Sequence, residues 1–198
     1  MEEAISSSQW RRGLQFFAEQ MRGPFNLKIL HHDLDKFSSV VAFMSLSRQV
    51  ETFTCSEQPL GIARNRLQEL CDACQADSCL QTLVLPSNCL GSDGTRVLCK
   101  ALESHPSVTT LLLQHNHIGY LGAEHIADLL LTNTAITSLD LSENSIGDNG
   151  TESLSKGLAQ NQSLLLLRLV RNNITPAAVE FLRDSLDASG RGGREIEL

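Results

Sequence analysis

The residue types that could do chemistry in this chain are a few cysteines and histidines. Cys71-x-x-Cys74, with Cys79 beyond, has part of the spacing of a structural zinc site. Such a site takes four ligands in a tetrahedral array. On a helix Cys71 and Cys74 would share a face, and that face is also where core residues belong; small thiols are common there. Core packing is therefore the expected role. His31-His32 and His115-x-His117 invite a metal or acid–base role. The pattern places His115 at an exposed strand position and His117 on a loop beyond Asn116, with no carboxylate completing a triad. His115 is expected to be a surface contact residue. A Gly-rich phosphate loop, a nucleophile elbow and a paired acid dyad are all missing from the sequence. No catalytic residue, metal or cofactor is expected.

The elements that position these residues come from an internal repeat. Leu80, Val108, Ile136 and Leu164 each open a unit, and each opening lies 28 residues after the last. The third unit begins Ile136-Thr-Ser-Leu139-Asp-Leu141-Ser-Glu-Asn144-Ser-Ile146-Gly147. Leu83 and Leu85, like Leu111 and Leu113, alternate with polar or small residues, the period of a half-buried strand. Then Leu98 and Leu102, Ile126 and Leu130, Leu154 and Leu158, and Leu182 and Leu186 fall four apart, on one helix face. No single strand–helix unit can bury its apolar face, so neighbours must stack. Asn88, Asn116, Asn144 and Asn172 form a column where the chain turns inward, and each amide can bond backbone groups of its own and adjacent turns. Gly91, Gly119 and Gly147, with Gly94, Gly122 and Gly150, are expected to mark the bend from strand to helix. The last unit departs with Thr175, Pro176 and Ala178, and proline suits a first helical turn.

This pattern, L-x-x-L-x-L-x-x-N-x-L followed by G-x-x-G and a helix, resembles the ribonuclease-inhibitor-like class of leucine-rich repeats. The strict match covers 80–189. The resemblance implies an α/β solenoid, with a curved parallel inner sheet and outer helices. It implies macromolecular recognition on the inner face or edge loops. The class includes ribonuclease inhibitors, Ran GTPase-activating proteins, tropomodulins, sensor regions of NOD-like receptors and ciliary scaffolds, so it implies no single activity.

Residues 27–79 are expected to hold degenerate repeats. Val50, Phe53, Cys55, Gln58, Leu60 and Gly61 align with Leu80, Leu83, Leu85, Asn88, Leu90 and Gly91, with Leu67 and Leu70 on the helix that follows. Ahead of them Leu27, Leu30, His32, Asp35 and Phe37 fit the frame loosely, with Val40, Phe43, Met44 and Leu46 as a helix. Residues 1–26 carry an amphipathic helix over 8–22, with Trp10, Leu14, Phe17 and Met21 at helical spacing before Gly23-Pro24. It is expected to cap the solenoid or to dock a partner. Residues 190–198 are a Gly/Arg link and a terminal strand, Glu195-Ile196-Glu197-Leu198. That strand should pair in parallel with 164–170, with Ile196 and Leu198 over the core and Glu195 and Glu197 near Arg168 and Arg171.

At 198 residues and a net charge of −7, the chain suits one solenoid and argues against nucleic acid. No apolar run spans a bilayer, and Met1-Glu2-Glu3-Ala4 does not resemble a secretory or transit signal. A cytoplasmic protein with six reduced cysteines is expected. The sequons at Asn149, Asn161 and Asn173 are then chance matches.

Residues 28 apart are neighbours on adjacent strands. Asp140 therefore sits beside Arg168, and His115, Glu143 and Arg171 form a second row. The charges can pair with one another, at about 0–1 kcal/mol per exposed pair, or present a polarised patch. Elsewhere the same face is small or apolar, with Thr54, Val84 and Leu112. Leu165, Leu166 and Val170 add apolar surface of the kind that marks an interface. The candidate partner-binding residues are Leu112, His115, Asp140, Glu143, Leu166, Arg168 and Arg171. The expected function is a non-catalytic protein–protein interaction module, an adaptor or structural subunit of a cytoplasmic assembly, cytoskeletal or ciliary. Its partner would be another protein, not nucleic acid or membrane. The alternatives are a regulator of a small GTPase, by resemblance to Ran GTPase-activating proteins, and an enzyme inhibitor.

Overall fold

The computed structural model describes residues 25–29, 37–47, 49–57, 59–61, 63–190 and 193–198. Strand and helix alternate along them: β1 (Phe25–Ile29), α1 (Phe37–Ser47), β2 (Val50–Cys55), α2 (Arg64–Ala76), β3 (Thr82–Val84), α3 (Gly91–Leu102), β4 (Thr110–Leu112), α4 (Gly119–Thr132), β5 (Ser138–Asp140), α5 (Gly147–Gln160), β6 (Leu166–Arg168), α6 (Pro176–Ala188) and β7 (Glu195–Glu197). The seven strands form one parallel sheet in sequence order. The helices pack on one side of that sheet, each against its sequence neighbours. This is the expected leucine-rich repeat solenoid.

Register explains the repeat. Leu27, Phe53, Leu83, Leu111, Leu139, Leu167 and Ile196 pair strand to strand in a single row. Leu85, Leu113, Leu141 and Leu169 form the next inward row, all buried. A fully buried leucine contributes about 1.5–3 kcal/mol, so these rows and the helix pairs facing them supply the core.

The first unit corrects the expected frame. The expected frame sets Leu27, Leu30 and His32 level with Leu80, Leu83 and Leu85, whereas Leu27 pairs with Phe53 and Ile29 with Cys55. Leu27 thus takes the Leu83 position and the fully buried Ile29 the Leu85 position. An aliphatic chain fills a column where the expected frame put an imidazole. The strand also starts at Phe25, inside the segment assigned to 1–26. The helix expected over Val40, Phe43, Met44 and Leu46 is there as α1, and it buries Phe37, Val41, Met44 and Ser47. Leu30, His31, His32, Asp35, Gln58 and the helix expected over 8–22 lie outside the described residues.

The two glycine columns do different work. Gly91, Gly119 and Gly147 have φ of +59°, +65° and +64° at the bend into each helix, a conformation in which only glycine is unstrained. Gly94, Gly122 and Gly150 are helical, one turn further on. There a Cβ on Gly122 would lie 2.4 Å from the Ile118 side chain. The second column therefore serves close packing, not the bend.

The asparagine column is buried throughout. The Asn144 amide donates to the carbonyls of Leu113 in the preceding coil (2.8 Å) and Leu141 in its own (2.9 Å). Its oxygen accepts from the backbone N–H groups of Asn116 (2.7 Å) and Ile118 (3.4 Å). Asn116 and Asn172 repeat the pattern. Each amide closes backbone groups that would otherwise be buried unpaired.

A second polar column stands at the other end of the helices. Asp77, His105, Asn133 and Asn161 are also spaced by 28 residues and are buried. Asn133 donates to Leu102 O at 2.8 Å and accepts from Ile136 N at 2.9 Å; Asn161 does the same with Leu130 and Leu164. His105 Nε2 faces Cys74 O at 2.9 Å, while Nδ1 accepts from Val108 N at 3.3 Å. These contacts require the neutral Nε2–H tautomer. The column leaves no repeated letter in the sequence because its members differ in residue type.

Strand β7 pairs in parallel with β6, Ile196 opposite Leu167 and Glu197 opposite Arg168. Ile196 packs on the core as expected. Leu198 does not: it is 38% exposed, and among the described residues no coil lies over it. At the start of α6, Thr175 accepts from Ala178 N, and its hydroxyl donates to Asp148 at 2.9 Å. With Pro176 in the first turn, the helix survives.

Candidate interaction surface

The candidate residues fall into two groups. Leu112, Asp140, Leu166 and Arg168 lie on strands β4 to β6, with side chains on the sheet face opposite the helices. His115 does not lie on a strand, contrary to the sequence reading. β4 ends at Leu112, and His115 sits in the following turn with φ +56°. Glu143 and Arg171 occupy the same position with φ +59° and +57°. These three line the rim where each strand turns into its helix. Left-handed backbone is uncommon outside glycine; here it recurs on both sides of each column asparagine, at His115 and His117, at Glu143 and Ser145, and at Arg171 and Asn173. That geometry turns the asparagine inward.

On the sheet face Val84, Leu112, Asp140, Arg168 and Glu197 form a continuous row. Arg168 Nε donates to Glu197 Oε2 at 2.8 Å, and its NH1 stands 4.0 Å from Asp140 Oδ2. The bond to Glu197 leads the causes that push the Arg168 pKa up. Asp140 is only 6% exposed. It accepts from Gln114 Nε2 at 2.7 Å and Ser142 N at 2.9 Å. Expected as a contact residue, Asp140 is instead a buried acceptor that orients Gln114 and Arg168. On the rim Glu143 bridges Arg171 NH1 and His115 Nδ1, both at 3.2 Å. The charged groups of both rows thus meet one another within the chain, and pairs open to solvent add little to stability.

Apolar surface accompanies them. Leu165 is 64% exposed, and Leu112, Leu166 and Val170 are half-buried. Leu166 lies in the row where the preceding strands place Thr82, Thr110 and Ser138. Gln114 and Glu197 join the site through Asp140 and Arg168; the repeat spacing placed Glu197 there, while Gln114 carried no signal of its own.

The cysteines divide by burial. Cys55, Cys71, Cys74 and Cys99 are buried and Cys79 and Cys89 exposed. Burial pushes the Cys55 and Cys71 thiols up to about 12, and Cys74 and Cys99 upward as well. Among the described residues no three histidine, cysteine or acidic side chains gather as a metal site would require. Of the three sequons, Asn161 is buried in the second polar column. Among the described residues no helix is long and apolar enough to cross a membrane.

A leucine-rich repeat family model matches residues 104–127 and 132–155, two stretches that each run from the end of one helix to the middle of the next. The chain has the leucine-rich repeat fold, with repeats that resemble the ribonuclease-inhibitor-like class. No curated protein matches this leucine-rich repeat chain in sequence. Among solved structures it is similar to actin-binding site 2 of leiomodin-1, with a TM-score of 0.64 and 18% identity over 83% of this chain and 91% of that one. It is also similar to the tropomodulin C-terminal domain of Caenorhabditis elegans, with a TM-score of 0.62 and 13% identity over 80% and 93% of the two chains. At these identities the likeness is one of fold.

Proposed function

We propose that this leucine-rich repeat protein is a non-catalytic protein–protein interaction module, an adaptor or structural subunit of a cytoplasmic assembly. The observation that carries the reading is apolar surface on the last full coils, where Leu165 stands 64% exposed and Leu112, Leu166 and Val170 are half-buried. A solvated sheet face has no internal use for these side chains, and exposed apolar area of this kind marks interfaces. The paired charges around it supply a polar rim, which an interface needs for specificity more than for affinity. The partner meets Leu112, Leu166, Arg168, His115, Glu143 and Arg171, with Asp140 acting through Arg168. The similarity in fold to a leiomodin-1 actin-binding site supports a cytoskeletal setting.

Cross-linking in native cells followed by affinity purification tests this reading. Cross-links from the partner to the β4–β6 face, and loss of capture by Leu166→Glu with unchanged thermal unfolding, are expected. Partner contacts confined to the outer helices would overturn the assignment of the face. Co-sedimentation with actin filaments tests the cytoskeletal setting directly, since a chain that stays in the supernatant at saturating filament removes its support.

A further inference from the structure

At every inner junction of the solenoid the turn of one coil donates to the next. Glu143 N bonds Val170 O at 2.9 Å, and Asn144 N and Ile146 N both bond Asn172 Oδ1, at 2.9 and 3.3 Å. The junction before it repeats this with His115, Asn116 and Ile118 against Ser142 and Asn144. In the last turn the same donors are Arg171 N, Asn172 N and Ile174 N, and among the described residues none has an acceptor. The fourth donor of the set, Thr175 N, is diverted to Asp148 at 2.8 Å. β7 runs beside the last coil but ends at Glu197, and Leu198 only reaches the level of Leu169. Among the described residues no turn beside the last one accepts from these donors.

These donors open onto a groove of about 760 Å³ between the last turn and α6, with Leu169, Ile174, Val179 and Leu198 as its apolar walls. Each inner junction fills the equivalent space with the Asn and the aliphatic residue two positions on: Asn116 and Ile118, or Asn144 and Ile146, all buried. The groove is therefore the continuation of an interface the protein already builds three times along the asparagine column. Unpaired backbone donors beside an apolar surface favour an occupant that supplies the acceptor and the side chain together.

We propose that this end of the solenoid is a docking site for an extended segment of a partner protein carrying Asn-x-Ile or Asn-x-Leu, bound as the turn of a further coil. The Asn oxygen takes the Asn172 and Ile174 N–H groups, a backbone carbonyl just before it takes Arg171 N–H, and the aliphatic chain fills the space beside Ile174 and Val179. The site does not depend on the sheet-face reading, because its donors and walls belong to the end of the stack.

The test uses the full chain, isotopically labelled, and a synthetic peptide copying Leu141–Asp148, Leu-Ser-Glu-Asn-Ser-Ile-Gly-Asp. Its titration should shift the amide signals of Arg171, Asn172 and Ile174 progressively, and the peptide's Asn144→Ala form should bind at least tenfold more weakly. Sedimentation over a range of concentrations runs alongside. No shift at those three amides up to the solubility of the peptide, equal binding by the alanine form, or shifts confined to the β4–β6 face would each overturn the proposal. A dimer that protects the same amides and that the peptide does not dissociate would make a second copy the occupant, and would overturn it too.

Discussion

Arg194 reaches back 36 residues to donate from NH1 to the carbonyl of Leu158 at 2.6 Å. That carbonyl is the one a further member of the second polar column would meet, as His105, Asn133 and Asn161 meet Cys74, Leu102 and Leu130. Its NH2 donates to Asn161 O. A guanidinium at the C-terminal end of α5 also suits the partial negative charge of the helix terminus. The link at 190–194 thus ends in a clamp that sets β7 in register.

Arg194→Ala is expected to cost about 1–3 kcal/mol, the penalty of leaving part-buried carbonyls without a donor. Urea unfolding measures the loss. Amide exchange localises it, because Leu169 N bonds Glu197 O at 2.7 Å and Glu195 N bonds Leu165 O at 2.9 Å, and both should exchange faster. Deleting 190–198 should go further and produce aggregation, since it bares the edge of β6. A truncated chain that stays monomeric with unchanged melting would contradict the capping role.

Asn144→Leu is expected to destabilise strongly. It strands two backbone N–H groups and the carbonyls of Leu113 and Leu141, at about 1–3 kcal/mol for each group not rescued. The denaturation midpoint in urea checks this.

His105 offers a cleaner pair of substitutions. Asn occupies the equivalent position at 133 and 161 and makes the same bonds, so His105→Asn should unfold within about 1 kcal/mol of the parent. His105→Leu keeps the volume but drops both the donor to Cys74 O and the acceptor for Val108 N, and should lose about 1–3 kcal/mol. Similar midpoints for the two variants would show that the column is packing alone.

Cysteine labelling should divide the six thiols. Iodoacetamide at pH 8 is expected to modify Cys79 and Cys89 in the native chain, and Cys55, Cys71, Cys74 and Cys99 only after unfolding. Burial holds the Cys55 and Cys71 thiols near 12 in the fold, against about 9 when exposed. The unfolded chain therefore loses these protons first as pH rises. Stability from this source is complete below pH 9 and declines as pH climbs toward 12. Mass spectrometry of labelled peptides and unfolding at pH 8 and pH 10.5 check both statements.

How much was legible in the chain differs from one coil to the next. In the four regular units every inward leucine, every column asparagine and the strand order follow from spacing, because a repeat of constant length has one way to stack in register. The first unit shows the limit. Leu27 and Leu30 both suit a strand, and only the stacking of Ile29 on Cys55 chooses between frames. Asp140 and Arg168 were expected as neighbours and are; that Asp140 is buried depends on Gln114 and Ser142 closing over it. His115 resembles a strand residue because alternation carries past Leu112, whereas the left-handed backbone at His115 and His117 that turns Asn116 inward puts it on the rim.

The sequence by itself determined the solenoid, its register from β2 to β7 and the asparagine ladder, since these rest on periodicities that any single coil displays. Tertiary structure alone decided which polar groups are satisfied. A hydrogen bond between coils needs a donor from one unit and an acceptor from the next, so its presence at Asn144 and its replacement by Arg194 beyond α5 can be read only where the coils meet.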